Sequence, residues 1–375
     1  MTKLIKMSLV AAVAVAGFSS TVAAKPLEES IQGVDFSGYL RYRYTNGESN
    51  DVDQNQYRIQ ATAKAKVNDT ITAKFAIEGD TKSNDTVGDD DGTNGSAATI
   101  RELNFTAKLG DATVTVGKQG LVTPFADSGL DSQQGTGIVA LYPVGPVTLA
   151  AGWYNNSDAT AIGGTDIGGS NISALAALGT AEMVNYSVWY ANVSNQNDTQ
   201  VDADAINVNL SAAFGPVNVE LNYAQIDYDV TAGATNYDVE AEQARLVVSA
   251  DAGIVTVTGG VIVLGDESGD TTLGDSDASS NFVMEEFSGS YLTDTTAYYL
   301  GLSVPVGPVT LGLEHGTTDD VNGNVKGDVE FSETKFSFAY PMSKNFKVSG
   351  WITDTSGDEG YDELGATRLE LKYTF

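Results

Sequence analysis

Residues 56–67 read QYRIQATAKAKV and alternate between two kinds of side chain. One face carries the apolar or aromatic members Tyr57, Ile59, Ala61, Ala63, Ala65 and Val67. The other face carries the polar or basic members Gln56, Arg58, Gln60, Thr62, Lys64 and Lys66. A period of two over about ten residues is the spacing of a tilted transmembrane β-strand. A soluble β-sandwich alternates in the same way, so the stretch predicts a strand without deciding what covers its apolar face.

The same alternation continues at both ends of the chain. In the segment 36–44, Phe36, Leu40, Tyr42 and Tyr44 share one face, and basic residues lie on the other. The last seven residues alternate up to the C-terminal Phe375. A closed barrel pairs its last strand with its first, which gives an aromatic strand at the very C-terminus a role that a soluble sheet does not offer.

Connections between the predicted strands alternate between short turns and long polar loops, which is the pattern of an outer-membrane barrel. Long loops rich in Asp, Asn, Gly, Ser and Thr occupy, for example, 82–96 and 265–295. The predicted turns lie at 68–69, 110–111, 145–146, 179–180, 215–216, 251–253, 307–308 and 341–345. Eight turns with both termini on one side predict eighteen antiparallel strands, or sixteen if residues 171–178 form a loop instead of a strand.

Aromatic residues mark the two ends of the predicted strands. Tyr42, Tyr44 and Tyr57 flank the first long loop on the apolar face, and a second group lies near the opposite strand ends: Phe214, Tyr340, Phe346, Tyr373 and Phe375. Two aromatic belts around an apolar band suit a bilayer, because amphipathic rings settle at the level of the lipid headgroups. The sequence therefore predicts an all-β transmembrane barrel.

The N-terminus resembles an export signal. Lys3 and Lys6 precede an apolar run from Leu9 to Phe18, and small residues follow up to Ala24. This order is typical of a signal peptide, so we expect residues 1–24 to be removed and residues 25–375 to form the barrel. Export through this route and barrel folding together predict the outer membrane of a Gram-negative bacterium.

Composition excludes several function classes. The chain has 50 acidic and 20 basic residues and a formal net charge of −30, which is unsuited to nucleic-acid binding. It contains no cysteine, and His315 is its only histidine, predicted to face outward near a strand end. Residues 89–95 have the composition of a calcium loop without the ligand spacing or the helices of an EF-hand. We expect no enzyme activity.

Basic residues are unevenly distributed. Ten of the twenty Lys and Arg residues lie between Arg41 and Lys118, and only Arg245 follows before Lys326. The alternation predicts a ladder of lumenal bases on the first four strands, comprising Arg41, Arg43, Arg58, Lys64, Lys66, Lys74 and Lys108. A solvated sheet face is the alternative interpretation of such a ladder.

The long segment 120–135 follows the fifth predicted strand and differs from the other long loops. It contains the apolar residues Leu121, Val122, Phe125 and Leu130. Apolar anchors favour a loop that folds against the inner wall. We expect this third loop to fold into the lumen and to supply the negative charge opposite the basic ladder through Asp127 and Asp131. Opposed charges would create a transverse field at the constriction.

Two parts of the sequence resemble the major outer membrane porin family of the Campylobacter type. One is the start of the expected mature chain, with Pro26-Leu27-Glu28-Glu29, residues 34–38 and residues 41–44. The other is Gly117-Lys118-Gln119 with Asp127, Asp131 and 135–137. The resemblance implies an eighteen-stranded, homotrimeric, cation-preferring general porin with an inward third loop. It also implies calcium near the constriction, with Asp127 and Asp131 as ligands, although residues 124–126 depart from the family pattern.

The function expected from these features is passive diffusion. We expect a pore for small hydrophilic solutes and cations, embedded in lipid and lipopolysaccharide, that requires no cofactor. A structural or adhesive surface barrel and a substrate-specific channel are the alternatives. A specific channel usually shows a slide of lumenal aromatics, whereas the candidates are scattered along the chain: Tyr39, Tyr154, Trp189, Tyr299 and Trp351.

Overall fold

A computed structural model gives the fold of the chain. It describes residues 33–47, 52–80, 97–126, 133–159, 167–194, 201–232, 235–273, 293–319, 331–357 and 365–375. The expected signal peptide, residues 1–24, lies outside these ranges. Within the described residues, no helix has the length and hydropathy needed to cross a membrane.

Eighteen β-strands make up the described structure. In chain order they are β1 (Val34–Gly47), β2 (Val52–Lys66), β3 (Ile71–Asp80), β4 (Ala97–Leu109), β5 (Ala112–Gly120), β6 (Gln134–Val144), β7 (Val147–Ser157), β8 (Asn171–Ala181), β9 (Val184–Ser194), β10 (Val201–Phe214), β11 (Val217–Ala232), β12 (Thr235–Asp251), β13 (Thr256–Leu264), β14 (Thr296–Val306), β15 (Val309–Asp319), β16 (Phe331–Pro341), β17 (Phe346–Gly357) and β18 (Ala366–Thr374).

The strands form one closed antiparallel barrel. Each strand pairs with its neighbours in sequence, and β18 pairs with β1 to close the sheet. Phe375 takes part in the closure, because its backbone N–H donates to the carbonyl of Gly38 at 3.1 Å and its carbonyl accepts from the N–H of Gly38 at 3.0 Å. The C-terminal residue thus completes the hydrogen-bonding ladder.

Eighteen strands are confirmed, and the sixteen-strand alternative is wrong. The segment that decided between them forms β8, which pairs along its length with β7 and β9. The turn after β8 is shifted from the prediction, because Gly179 and Thr180 are still in the strand and the chain reverses at residues 182–183. Glu182 there has a positive φ of 54°, which is uncommon outside glycine and carried no sequence signal.

The three Gly-Pro turns use glycine where the backbone requires it. Gly145, Gly215 and Gly307 have φ angles of 59°, 62° and 60°, in the left-handed region that L-residues with a Cβ rarely adopt. Each of these glycines precedes a proline, which lies in the turn, where no backbone N–H is needed for the hydrogen-bonding ladder.

The predicted alternation separates an outward and a lumenal face. Outward residues are apolar and exposed; Phe36 is 71% exposed and Ile59 is 51% exposed. The nearby Tyr39 faces the lumen and is 4% exposed. Tyr42 and Tyr57 lie opposite each other on the outward face, with ring centroids 5.2 Å apart. The outward face is thus an apolar band edged by aromatics, as a bilayer requires.

Candidate pore constriction

The basic side chains collect on one arc of the inner wall, which we call the basic wall. All six bases predicted for the constriction lie on lumenal positions of β1, β2 and β3: Arg41, Arg43, Arg58, Lys64, Lys66 and Lys74. Arg41 lies opposite Arg58, and Lys64 lies opposite Lys74. Lys108 also faces the lumen, on β4. The predicted ladder of bases is therefore present in the fold; its part in a constriction stays a prediction.

The basic wall continues across the seam where the barrel closes. Lumenal bases on β16, β17 and β18 extend it: Lys335, Lys347, Arg368 and Lys372. Lys372 lies directly opposite Arg41. These four residues were not predicted from the sequence as members of the site. The inward parity of the last strand, combined with its closure onto the first, was the signal that could have found them.

Two of the seam bases stack on lumenal aromatic rings. The guanidinium carbon of Arg368 lies 4.8 Å from the Trp351 ring centroid, and the Lys372 ammonium lies 5.2 Å from that of Tyr39. Such cation–π contacts hold the cations against the wall.

Acidic residues lie within the basic wall itself, contrary to the expectation that the negative charge comes from a loop. Arg43 donates from Nε and Nη2 to Glu370 at 3.1 and 3.0 Å. Lys74 forms an ion pair with Glu102 on β4. Glu370 lies on β18 and Glu102 lies on β4, each distant in sequence from the base that it pairs with. The strand register was therefore needed to find these two pairs.

Arg101 enters the lumen through a local irregularity. The pairing of β3 with β4 shifts between Ala76 and Ile77, and Arg101 is the extra residue. Its guanidinium lies 3.8 Å from Glu78 and 3.7 Å from Asp158. A β-bulge changes which face a side chain occupies, so strict alternation could not place Arg101.

The opposite arc of the inner wall is apolar, and we call it the apolar wall. Its lumenal residues lie on β7 to β12 and are almost fully buried: Tyr154, Ile172, Ala174, Ala191, Val193, Val201, Ala203, Ala205, Ile226, Tyr228, Val230 and Ala241. Inside a water-filled pore, such residues would be exposed to water unless another part of the chain covered them.

The third loop provides that cover. Leu121, Phe125 and Ala126 are 2%, 0% and 1% exposed and belong to the same apolar cluster as the wall. The Tyr154 hydroxyl donates to the carbonyl of Gly120 at 3.1 Å, at the root of the loop. The described part of the loop thus folds inward, as predicted, and its apolar anchors are the reason. Val122 is 71% exposed, and Leu130 lies outside the described residues.

A second segment, residues 265–273 after β13, holds the third loop in place. The N–H of Leu273 donates to the carbonyl of Phe125 at 2.7 Å, and the Leu273 carbonyl accepts from Nε2 of Gln133 at 3.0 Å. Leu273 is 1% exposed. The long polar loop predicted at 265–295 is therefore packed against the third loop in the part 265–273. The sequence offered little sign of this contact, because Leu273 is a single apolar residue in a polar stretch.

Asp127 and Asp131, the acidic candidates of the third loop, lie outside the described residues, as do residues 89–95. Among the residues that the structure describes, no group of three or more His, Asp or Glu side chains is arranged to hold a metal ion. Calcium at the constriction stays a prediction.

The five candidate aromatics do not form a continuous slide. Tyr39, Tyr154, Trp189, Tyr299 and Trp351 face the lumen on β1, β7, β9, β14 and β17, and no two of these strands are neighbours. His315 faces outward, as predicted, with its Nδ1 atom 3.0 Å from the Thr334 hydroxyl.

Residues 2–177 match the sequence profile of the Campylobacter major outer membrane protein family. This match supports the family predicted from the sequence. A search of curated proteins gives no match. The matched range includes the basic wall from β1 to β4 and the third loop.

Solved structures of other outer-membrane channels share the fold. Pseudomonas aeruginosa OccK1 (OpdK) is 14% identical, with a TM-score of 0.69 over 92% of this chain and 99% of that one. Acinetobacter baumannii OccAB1 is 14% identical, with a TM-score of 0.71 over 95% and 99%. Pseudomonas aeruginosa OccK9 (OpdG) is 16% identical, with a TM-score of 0.71 over 92% and 99%.

Family and fold together fix the coarse function. The protein is a porin of the Gram-negative outer membrane, a channel and not an enzyme. Its outward apolar band contacts lipid, and solutes pass through its lumen.

Proposed function

We propose that this porin is a general diffusion pore for small hydrophilic solutes and ions, with a moderate preference for cations. The observation that carries the proposal is the division of the lumen into two walls. The apolar wall is covered by the third loop and residues 265–273, so water and solutes pass along the basic wall. That wall also carries acidic residues, including Glu370, Glu102 and Glu78. It therefore offers charged partners to both cationic and anionic solutes.

Cation preference follows from the charge of the whole chain. Removal of residues 1–24 takes away Lys3 and Lys6 and changes the formal charge from −30 to −32. This excess of acid raises the local concentration of cations at the pore mouth. The basic wall opposes the effect inside the lumen, so the preference is moderate.

Reversal potentials in a KCl gradient across a planar bilayer test this. The Debye length is about 10 Å at 0.1 M salt and about 3 Å at 1 M, so the cation preference falls as the salt concentration rises. Anion selectivity at low salt contradicts the proposal.

The constriction is proposed to lie between the third loop and the basic wall. In this proposal Asp127 and Asp131 face Arg41, Arg43 and the other predicted bases. Charges across a narrow, partly dehydrated gap interact more strongly than surface charges, because the effective dielectric constant is lower than that of water.

Changing both aspartates to Asn is expected to weaken cation preference without impairing assembly. Changing Arg41 and Arg43 to Gln is expected to shift selectivity in the opposite direction, towards cations. Lumenal substitutions tune selectivity in barrels, which makes reversal potentials the readout. A double Asn variant with wild-type selectivity would disprove the constriction and leave the porin function intact.

We propose that a calcium ion binds to the carboxylates of the same two aspartates. Two carboxylates supply only part of the six to eight oxygen ligands that calcium takes, so backbone carbonyls and waters would complete the site. A calcium chelator is expected to change the conductance of the wild type and not that of the double Asn variant. An equal response in both would exclude calcium at these residues.

A homotrimer embedded in lipid and lipopolysaccharide is the proposed assembly. The trimer is supported by the family match alone. Cross-linking in mild detergent should give a trimer that heat converts to monomers, and a monomer before heating would contradict it.

A further inference from the structure

A polar depression lies in the inner wall at the periplasmic end of the barrel, the end that carries the short turns. It has a volume of about 170 Å³ and is formed by β9, β10, β11 and β12. The polar side chains that line it are Asn185, Ser211, Asn218, Glu220 and Ser249. Within it, Glu220 lies opposite Ser211 on β10. We call this depression the polar niche.

The carboxylate of Glu220 is held in place by two neighbours. Its Oε1 atom accepts a hydrogen bond from Nη2 of Arg245 at 2.9 Å and another from Nδ2 of Asn209 at 3.2 Å. Among the residues that the structure describes, the Oε2 atom has no hydrogen-bond partner, and the side chain is 40% exposed. Glu220 therefore presents one fixed hydrogen-bond acceptor to the lumen.

The polar niche differs from both walls of the lumen. Its one carboxylate is paired with Arg245, and its other polar groups are uncharged hydroxyls and amides, so it lacks the excess of charge found on the basic wall. The apolar wall uses the same strands, but its residues Ala205 and Ile226 lie nearer the outer strand ends and are buried. The niche is thus a neutral polar surface that solutes can reach.

An aromatic ring lies in the same lumenal row as Glu220. Tyr299 on β14 lies opposite Gly260 on β13. Gly260 lies opposite Val247 on β12, and Val247 lies opposite Glu220. The Tyr299 ring leans over β13 towards the niche, because a Cβ added at Gly260 would overlap it. Tyrosine combines an apolar ring face with a polar hydroxyl, so the row places an aromatic surface near the hydrogen-bonding groups.

This combination of groups suits a neutral solute with several hydroxyls. A hydroxyl both donates and accepts hydrogen bonds; the Glu220 carboxylate accepts them, and serine hydroxyls and asparagine amides do both. The apolar C–H face of a sugar ring can pack on an aromatic ring. We propose that the polar niche and Tyr299 form a binding subsite for monosaccharides and similar polyols on their way to the periplasm. The proposal rests on the proposed passage of small hydrophilic solutes and names one class of them.

D-glucose and triethylene glycol are suitable probes because both are small, neutral and hydrophilic, and only glucose carries adjacent hydroxyls on a ring. Each is added to single channels recorded in KCl, and the current is divided by the conductivity of the same solution. Glucose is expected to reduce this corrected current in a saturable way, and triethylene glycol is expected to leave it unchanged. Equal effects of the two compounds, or no effect of glucose, would overturn the proposal.

Salt separates this subsite from binding by charge. The Debye length falls from about 10 Å at 0.1 M salt to about 3 Å at 1 M, and glucose has no charge to be screened. The half-saturating glucose concentration is therefore expected to be equal at both salt concentrations, and a large increase at high salt would contradict the proposal. The KCl current before addition reports separately on the pore. Without that current the proposed function fails, whereas a KCl current that glucose does not alter overturns the subsite alone.

Two variants locate the subsite. Glu220→Gln is expected to raise the half-saturating glucose concentration about tenfold, because it replaces a charged hydrogen-bond acceptor by a neutral one. Ser211→Val fills the niche with methyl groups and keeps the pair of Glu220 with Arg245. It provides a second test in case Glu220→Gln fails to assemble, and it is expected to raise the concentration less. A wild-type glucose response in both assembled variants contradicts the subsite.

Glu102→Gln is the matched control. Like Glu220, Glu102 is a lumenal carboxylate paired with a base, in this case Lys74, but it lies on β4 in the basic wall. The glucose response of this variant is expected to equal that of the wild type. If Glu102→Gln and Glu220→Gln weaken the response equally, glucose responds to the loss of any lumenal carboxylate, and the polar niche is not its binding site.

Discussion

The two walls of the lumen follow the same strand geometry and differ in what covers them. On the basic wall, from β16 across the seam to β4, charged side chains face the lumen. On the apolar wall, Ile172, Val201 and Ile226 occupy equivalent lumenal positions and are fully buried. Alternation decides which way a side chain points, whereas the other parts of the chain decide whether it meets water.

Apolar residues at lumenal positions of a barrel indicate where a loop packs against the inner wall. In a water-filled barrel, polar residues are expected at inward positions. A run of apolar residues at inward positions of β8 to β11 therefore indicates that a loop packs there. The third loop, with its buried Phe125, is the element that matches this need.

The largest effect on the covering of the apolar wall is expected from Phe125→Ala. Phe125 is 0% exposed, and truncating such a buried ring typically costs about 3–5 kcal/mol of stability. Here the lost packing is the contact that holds the third loop against the apolar wall. Loss of docking widens the lumen, so single-channel conductance in 1 M KCl should rise. Val122→Ala is the control in the same loop, since Val122 is 71% exposed. Equal conductance in the two variants would show that the loop does not depend on this contact.

Acidification is expected to act in the opposite direction through Asp270 in the segment 265–273. Burial raises the pKa of Asp270, although hydrogen bonds from the N–H and hydroxyl of Thr272 partly oppose the shift. A raised pKa means that the docked segment favours the neutral carboxyl. Docking therefore costs free energy above the raised pKa and becomes more favourable as the pH falls through it.

The conductance of the wild type should thus decrease as the pH falls from neutral towards the acid range. Asp270→Asn keeps an acceptor for Thr272 and removes the charge, so its conductance at neutral pH should resemble that of the acidified wild type. Other acids titrate in both proteins, and the difference between the two pH profiles isolates Asp270. Identical profiles would show that this carboxyl does not control docking.

The smallest effect is expected from Asp158→Asn. Asp158 pairs with Arg101 at 3.7 Å, but its side chain is 45% exposed, and such pairs contribute about 0–1 kcal/mol. Asn retains an acceptor for the N–H of Gln134 at the root of the third loop. Open-channel noise should increase slightly in Asp158→Asn and more in Asp158→Ala, which loses both interactions. A larger change in the Asn variant would mean that the ion pair anchors the loop.

Much of the fold was predictable because the barrel repeats one rule. Strand number, closure by the last strand and the inward parity of Arg41, Arg58 and Lys74 follow from a period of two and from turn positions. Arg101 was not predictable, since the bulge that turns it inward leaves no mark in the alternation. The contact of Phe125 with Leu273 joins residues far apart in sequence, and the register of distant strands determines it.

The central claim is that solutes pass along the basic wall while the apolar wall stays covered. The chain has no cysteine, so single cysteines report without background. Ser349→Cys places a thiol on the lumenal face of β17, opposite Glu370, and Ala205→Cys places one on the apolar wall, where Ala205 is 4% exposed. The account predicts that a charged, membrane-impermeant methanethiosulfonate reduces the current through Ser349→Cys and leaves Ala205→Cys unmodified. Comparable reaction rates at the two thiols would contradict it.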